Sequence, residues 1–175
     1  ERPGTYWESW TSHAKRHSRT WLISQPYLLE ETSNTEEFIE SYKKLQKVRT
    51  LKSSFIGLVR QHKEFHKDLT HLFVARDNGS IVAGLAVIDL PDINSSHHLI
   101  SFVHSVAKAS SIGTGLIDYW FQHALSHHIR FLSFGVFWTP GKPRSWHGFS
   151  KFKSQFGVHF IDRPRPLIRF VGNSK

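Results

Sequence analysis

The sequence of 175 residues contains no cysteine. This absence excludes a disulfide scaffold, a zinc ribbon and a thiol nucleophile, so any chemistry has to depend on His, Lys, Asp, Glu, Ser, Tyr or backbone groups. It is typical of a cytoplasmic protein, which is the location that we expect. Long apolar runs are absent too, because each is interrupted by His, Ser, Lys or Gly within about a dozen positions, and no membrane-spanning helix is predicted.

Methionine is also absent, and the chain opens at Glu1 without the charged, apolar and small-residue regions of a signal peptide. We therefore expect residues 1–175 to form one domain taken from a longer product. Hydrophobic residues make up 39% of the chain, and the mean hydropathy is −0.36. These values are typical of a folded domain with its own core and exclude a disordered chain.

Acidic residues are scarce in the second half of the chain. Residues 1–92 hold 13 Lys and Arg against 12 Asp and Glu, whereas residues 93–175 hold 10 against only two, Asp118 and Asp162. Such a basic half predicts an anionic partner, either a phosphate-bearing cofactor, RNA or an acidic lipid-linked substrate. The alternative is a basic surface that only keeps the protein in solution.

Hydrophobic periodicity and turn signals predict an α/β (α+β) fold with a mixed, mostly antiparallel sheet of about seven strands flanked by helices. The firmest signal is Asn78-Gly79 between two apolar runs, which predicts a β-hairpin. The predicted order is β-α-α-β-β-β-α-β-α-β-β, after an initial helix over 6–19. The strands are predicted at 19–24, 72–75, 81–88, 98–106, 131–136, 158–161 and 167–171, and the helices at 35–48, 53–66, 113–127 and 145–156.

A glycine-containing segment connects the fourth strand with the helix that follows it. Two glycines separated by one residue allow backbone N–H groups at a helix N-terminus to close on an anion such as a pyrophosphate. A tight turn before a helix is the alternative explanation. No G-x-G-x-x-G follows the first strand and no G-K-[ST] occurs, which excludes the dinucleotide-binding and P-loop patterns. The residues predicted to bind a phosphate-bearing cofactor are Val106, Ser110, Ser111, Ile112, Gly113, Thr114 and Gly115.

The element order together with S-S-I-G-T-G resembles the GNAT acyltransferase superfamily, whose Q/R-x-x-G-x-G/A loop binds the pyrophosphate of coenzyme A. Ser110 stands where that family has Gln or Arg. The tract Phe152-Lys153-Ser154-Gln155-Phe156-Gly157 resembles the F-K-x-x-F-G signature of FemAB-type transferases, which build peptidoglycan cross-bridges with aminoacyl-tRNA, and of their acyl-CoA-using relatives. The basic stretch His13–Arg19 also suits that branch. FemAB-type enzymes carry two GNAT units in tandem, so either a second unit lies elsewhere in a longer protein or this chain is a single-domain relative.

The resemblance implies an N-acyltransferase that moves an acyl group from acyl-CoA, such as acetyl-CoA, to an amine acceptor by direct attack. One alternative is aminoacyl transfer from aminoacyl-tRNA to a peptidoglycan precursor. Another is a non-catalytic ligand-binding module of the same fold. A nucleic-acid binder without catalysis comes last, because the interleaved aromatic and basic residues of an RNP-type sheet are missing.

Two residues are the candidate catalytic groups. Lys153 matches the lysine of the F-K pair, where an ammonium neutralises a phosphate or a developing oxyanion. His104 is the titratable residue predicted in the interior of the fourth strand, and an imidazole has a suitable pKa for a general base. Trp138 and Trp146, which bracket a Pro-Gly-Lys-Pro loop, and Lys151 are the candidate substrate-binding residues. For each of these five residues, the alternative is a structural role, either in packing or at a solvated surface position.

Thirteen histidines raise the question of a metal site. His123 and His127 form an i, i+4 pair on a predicted helix, but no third ligand of fitting spacing and no H-E-x-x-H accompany them. The sequence therefore predicts no metal site. Asp118, on the same helix, is expected on its solvated face.

Overall fold

A computed structural model describes residues 6–45, 50–144 and 146–161, and for residues 45 and 50–53 it describes the backbone alone. Within these ranges the helices are α1 (Ser12–Ser24), α2 (Thr35–Leu45), α3 (Thr50–Phe65), α4 (Ile112–Ser126) and α5 (Trp146–Lys153). The strands are β1 (Leu28–Glu31), β2 (Thr70–Asp77), β3 (Ser80–Leu90), β4 (Ser95–Val103) and β5 (Phe131–Ser133). None of the helices in the described ranges is long and apolar enough to cross a membrane.

The hairpin of β2 and β3 lies in the middle of the sheet. Asp77 pairs with Ser80 across the turn, and the two residues between them, Asn78 and Gly79, have φ angles of 47° and 83°. A two-residue turn of this kind requires positive φ at both positions, which Asn and Gly adopt most easily. The predicted hairpin is confirmed.

The five strands form one sheet in the order β1-β2-β3-β4-β5. Neighbouring strands are antiparallel except β4 and β5, which run parallel. Parallel neighbours need a crossover, and α4 supplies it. The parallel pairing predicted for this strand–helix–strand unit is confirmed.

Helices cover both faces of the sheet. Successive strand residues point to opposite faces, so Phe73 and Leu85 pack under α1 and α4, whereas Leu72 and Val74 pack under α2 and α3. The first core contains Trp21, Leu116, Ile117, Trp120, Phe134 and Phe156, and the second contains Phe38, Ile39, Tyr42, Val59, Ile100 and Phe102.

Residues 19–24 are helical, so the strand predicted there is wrong. Thr11 caps α1, since its side chain accepts a hydrogen bond from the backbone N–H of Ala14. Ala14, Ser18 and Trp21 are the buried residues of this helix, and their spacings of four and three residues place them on one helical face. The apolar composition of the segment resembles a strand, but the packing of Trp21 against α4 stabilises the helix.

The sheet has five strands in the described residues, not about seven, and the predicted order is not matched. The first strand is β1, after α1, and residues 158–161 are not a strand. The strand predicted at 167–171 lies outside the described residues. That residues 1–175 form one domain stays a prediction.

Candidate functional site

The strands β4 and β5 stay together over only three residue pairs. Ser95, Ser96 and His97 pair with residues 131–133. Beyond this point β4 continues to Val103. The segment that follows β5 leaves the sheet at Phe134 and turns at Gly135, which has a φ of 71°. The two strands therefore part beyond Ser133, which leaves a gap at the edge of the sheet.

The side chain of Lys153, at the end of α5, lies in this gap. Its Nζ donates hydrogen bonds to the carbonyl oxygens of Phe134 at 2.5 Å and Val136 at 3.3 Å. It also lies 4.9 Å from the ring centroid of Phe149 and 5.7 Å from that of Phe137, within the range of a cation–π interaction. Only 8% of Lys153 is exposed, and burial lowers the pKa of its ammonium to about 8.

A small cavity adjoins Lys153. It measures about 30 Å³ and is lined by His98, Ser101, Ile117, Phe134, Phe149, Phe152 and Lys153. This volume is enough for one water molecule but not for an acyl chain. Burial, and then the charge of Lys153, lower the pKa of His98 to about 3. His98 is therefore neutral at physiological pH, and Lys153 is the cation of the cavity.

The glycine-containing segment forms the N-terminus of α4. Ser111 has a φ of 61° as the residue before the helix, and its carbonyl oxygen accepts hydrogen bonds from the N–H groups of Thr114 and Gly115. Of the four N–H groups from Ile112 to Gly115, only those of Ile112 and Gly113 lie outside these bonds and are available to an anion.

The two glycines differ in their surroundings. A Cβ on Gly115 would lie 2.7 Å from Cδ2 of Trp21, so this glycine lets α1 approach α4 closely. A Cβ on Gly113 would meet Cζ of Phe152 at 3.5 Å, which is an ordinary contact. Phe152 thus connects the N-terminus of α4 with the helix that carries Lys153.

Histidines of α1 flank the N-terminus of α4. His17 Nδ1 lies 2.7 Å from the hydroxyl oxygen of Ser111, and the Nε2 atoms of His17 and His13 are 3.2 Å apart. His13 Nδ1 in turn lies 2.6 Å from Gln155 Oε1. Burial, and then the charges of His13 and Arg16, lower the pKa of His17. The sequence singles out the basic stretch of α1, but its contact with Ser111 depends on how α1 packs against α4, which no local pattern indicates.

The other residues predicted to bind the donor are less central. Val106 lies in the turn after β4 and is 73% exposed. Ser110 donates its hydroxyl proton to the carbonyl oxygen of Ala107 at 2.6 Å, and Thr114 is buried in the first turn of α4. Of the predicted segment, Ser111, Ile112 and Gly113 are the residues best placed to receive a ligand.

The predicted position of His104 in the interior of the fourth strand is wrong. It follows the last residue of β4, and its Nε2 lies 3.1 Å from the hydroxyl oxygen of Ser41 on α2. Its ring also contacts Phe102, which belongs to the core under α2 and α3. Lys153 instead bonds Phe134 of the other core, so the structure does not bring these two candidates together.

The candidate substrate-binding residues lie around α5. The ring of Trp138 packs on His147 at 3.8 Å, and its indole N–H donates to the carbonyl oxygen of Lys142. Trp146 packs against Phe149 with 5.5 Å between the ring centroids. Lys151 is exposed.

A larger cleft of about 290 Å³ lies between α1, β1 and α4, where Trp21, Tyr27, Tyr119 and Asp118 contribute to its wall. Asp118 is only 2% exposed and accepts a hydrogen bond from the Tyr6 hydroxyl at 2.6 Å. The expectation that Asp118 faces solvent is wrong, because it lies on the side of α4 that packs against the N-terminal segment.

No protein-family model matches the sequence, and no curated protein matches it. Several solved structures match its fold. A GNAT-family acetyltransferase from Staphylococcus aureus Mu50 has 21% identity and a TM-score of 0.60 over 78% of this chain and 87% of that chain. A predicted acetyltransferase with acetyl-CoA from Clostridium acetobutylicum has 12% identity and a TM-score of 0.53 over 82% and 96%. An aminoglycoside acetyltransferase with sisomicin from an uncultured soil sample has 14% identity and a TM-score of 0.58 over 86% and 99%.

These likenesses confirm the resemblance to the GNAT superfamily at the level of the fold. They extend over most of this chain and of each matched chain. The narrower assignment to the FemAB-like branch stays a prediction.

Proposed function

We propose that this protein is an N-acyltransferase that transfers an acyl group from acyl-CoA to an amine acceptor. The observation that carries the proposal is the position of Lys153, which places a buried ammonium in the gap between β4 and β5 beside the N-terminus of α4. The GNAT-like fold supports the same reaction class, but a fold alone does not establish an activity.

The phosphate groups of the donor would bind at the N-terminus of α4. The N–H groups of Ile112 and Gly113 and the hydroxyl group of Ser111 supply hydrogen-bonding groups there, and the imidazole of His17 orients that hydroxyl group. The positive end of the helix dipole adds a favourable interaction with an anion. The residues present therefore fit a pyrophosphate.

The acyl arm does not fit the gap as it stands. Phe149, Phe152 and Lys153 leave a cavity of only about 30 Å³. We therefore propose that α5 shifts away from β4 when the donor binds. Phe152 contacts the N-terminus of α4, so binding of phosphate there is the natural trigger for this shift.

In the proposed reaction, the lone pair of the acceptor nitrogen attacks the thioester carbonyl carbon and a C–N bond forms. The C–S bond breaks, and the thiolate leaving group takes up the proton that the acceptor nitrogen loses after the attack. Lys153 has three N–H donors, and two of them already bind carbonyl oxygens, so one is available for the developing oxyanion. His104 serves as a base in this scheme only through a water relay, because it lies on the α2 face of the sheet.

Aminoacyl-tRNA is the second candidate donor. The closed gap and the basic residues of α1 favour a donor that is held mainly by its phosphates. The acceptor would then be the amine of a peptidoglycan precursor, and a second GNAT-like unit would complete the site.

The test is donor binding and turnover with purified protein. Acetyl-CoA, longer acyl-CoA and aminoacyl-tRNA are compared by thermal shift. A bound ligand at a hundredfold excess over its dissociation constant stabilises the domain by about 2.7 kcal/mol. Release of the CoA thiol can be followed with a thiol reagent without background from the protein, since the chain has no cysteine.

Three outcomes separate the candidates. Thiol release that depends on an added amine supports the acyl-CoA reaction. Stabilisation by aminoacyl-tRNA alone supports the second donor. Binding of CoA without turnover of any amine supports the non-catalytic module, and the absence of any binding would contradict all three.

A further inference from the structure

Three side chains from different elements converge at the end of α4 opposite the glycine-containing segment. Asp89 near the end of β3 lies between His71 on β2 and His123 on α4. Its Oδ2 is 2.9 Å from His123 Nε2 and 3.3 Å from His71 Nε2. His123 is ten residues from Gly113, which corresponds to about 15 Å along the helix. The cluster is therefore separate from the gap that holds Lys153.

The cluster is well shielded from solvent. The exposed fractions of the side chains are 14% for His71, 8% for Asp89 and 8% for His123. The second carboxylate oxygen of Asp89 is buried, and the hydroxyl group of Ser96 is a further partner that stabilises the charge of this carboxylate. A carboxylate removed from water needs partners for its charge, and here two imidazole nitrogens face it.

The spacing of the three atoms suits a tetrahedral metal ion. Ligand atoms at about 2.0–2.1 Å from a zinc ion lie about 3.3 Å from one another in a tetrahedron. The separations from Asp89 Oδ2 are 3.3 Å to His71 and 2.9 Å to His123, so a bound ion would require His123 to move outward by about 0.4 Å. Among the residues that the structure describes, this is the one group of three His, Asp or Glu side chains whose ligand atoms all lie within 4.8 Å of one another.

Glu31 adds a feature that is independent of the three convergent atoms. Its Oε1 lies 2.9 Å from Nδ1 of His71, the ring nitrogen that points away from Asp89. Metal-binding histidines commonly donate their second N–H to a carboxylate, which holds the ring in place and leaves the other nitrogen unprotonated for the metal. Glu31 is in the right position for this task.

We propose that His71, Asp89 and His123 form a zinc site that ties the β2–β3 hairpin to the C-terminal end of α4, with Glu31 as the positioning residue for His71. Two imidazoles and one carboxylate favour zinc over Mg²⁺ or Ca²⁺, which prefer oxygen ligands alone. Three protein ligands leave one position of a tetrahedron to water. The sequence predicted no metal because β2 and β3, which supply the missing ligands, are far from His123 along the chain.

Zinc binding to metal-stripped protein tests the proposal. The protein is treated with a chelator, dialysed and titrated with Zn²⁺ in competition with a chromophoric chelator. We expect one zinc ion per chain and a higher melting temperature, because the metal binds the folded state. Co²⁺ offers a second readout, since its absorption spectrum distinguishes four-coordinate from six-coordinate ions.

Substitutions locate the site. We expect His123→Gln to weaken zinc binding by a hundredfold or more. Glu31→Gln, at a residue whose side chain is 43% exposed, is expected to weaken it about 10- to 100-fold with the fold intact. The matched control is the double variant His13→Gln/His17→Gln, which removes another pair of neighbouring imidazoles and should leave the affinity unchanged.

Two results would overturn the proposal. One is the absence of stoichiometric zinc binding to the stripped protein, which would leave the cluster as an ion-paired network. The other is loss of binding in the His13→Gln/His17→Gln variant but not in the Glu31→Gln variant. Neither result depends on acyl transfer, so the zinc site and the proposed function can fail separately.

Discussion

Gly115 of α4 lies directly against the indole of Trp21 on α1, so closely that a Cβ at position 115 would come within 2.7 Å of the ring. The indole is buried and large, and it cannot move aside as the end of a flexible side chain could. This contact sets the distance between the basic helix α1 and the N-terminus of α4. The glycine is therefore needed for packing, whether or not it also borders a ligand.

The first prediction concerns this contact. Gly115→Ala should destabilise the protein by about 1–3 kcal/mol, because the added methyl group overpacks the interface of α1 and α4. Denaturant unfolding measures the change. Gly57→Ala is the control, since nothing lies within 4 Å of a Cβ at that helical position, and it should stabilise the protein by up to about 1 kcal/mol. Equal effects of the two changes would contradict the packing role.

The second prediction concerns the pH dependence of stability. Burial lowers the pKa of Lys153 from 10.5 to about 8, so between these values the unfolded chain binds a proton that the folded chain has lost. The free energy of unfolding should therefore rise with pH from about 8 to about 10.5. We expect a gain of the order of 2 kcal/mol after solvent screening.

Lys153→Met should remove this gain, because methionine keeps much of the apolar stem but does not titrate. Lys151→Met is the control on the exposed side of the same helix, and it should retain the wild-type pH profile. Identical profiles for wild type and Lys153→Met in chemical denaturation would show that Lys153 titrates normally.

The third prediction concerns the role of Lys153 in turnover. If its ammonium stabilises the developing oxyanion, Lys153→Met should lower kcat and kcat/KM together, by about 100-fold or more. If it only holds substrate, KM should rise while kcat stays unchanged. Steady-state kinetics on the folded variant distinguish the two, and unchanged kinetics would rule out both roles.

The fourth prediction concerns the phosphate end of the donor. His17→Gln removes the imidazole that lies beside Ser111, and we expect it to weaken binding of CoA about fivefold, because the Ser111 hydroxyl group loses the hydrogen bond that orients it. Isothermal titration measures the dissociation constant. His62→Gln on α3, on the other face of the sheet, is the control and should bind CoA as the wild type does. A similar loss in both variants would indicate an effect on folding rather than on the site.

Local sequence signals determined a large part of this fold. Asn78-Gly79 specified the central hairpin, because few other dipeptides adopt positive φ at both turn positions. Helices α2, α3 and α4 follow from apolar residues at helical spacing. The need for a crossover between parallel strands made α4 and β5 one unit. The F-K-x-x-F-G tract singled out Lys153 from the surrounding lysines.

Contacts between distant residues decided the rest. Residues 19–24 have strand-like composition, but Trp21 becomes buried against Gly115 only when α1 is a helix, and this tertiary packing outweighs local propensity. The sequence places His104 inside the fourth strand, but β4 ends at Val103, and the side chain of His104 contacts Ser41 of α2. The burial of Lys153 against Phe134 and the meeting of His71, Asp89 and His123 depend on strands and helices that lie far apart in the chain. Their burial and mutual distances arise only when the sheet assembles, so no spacing in the sequence could indicate them.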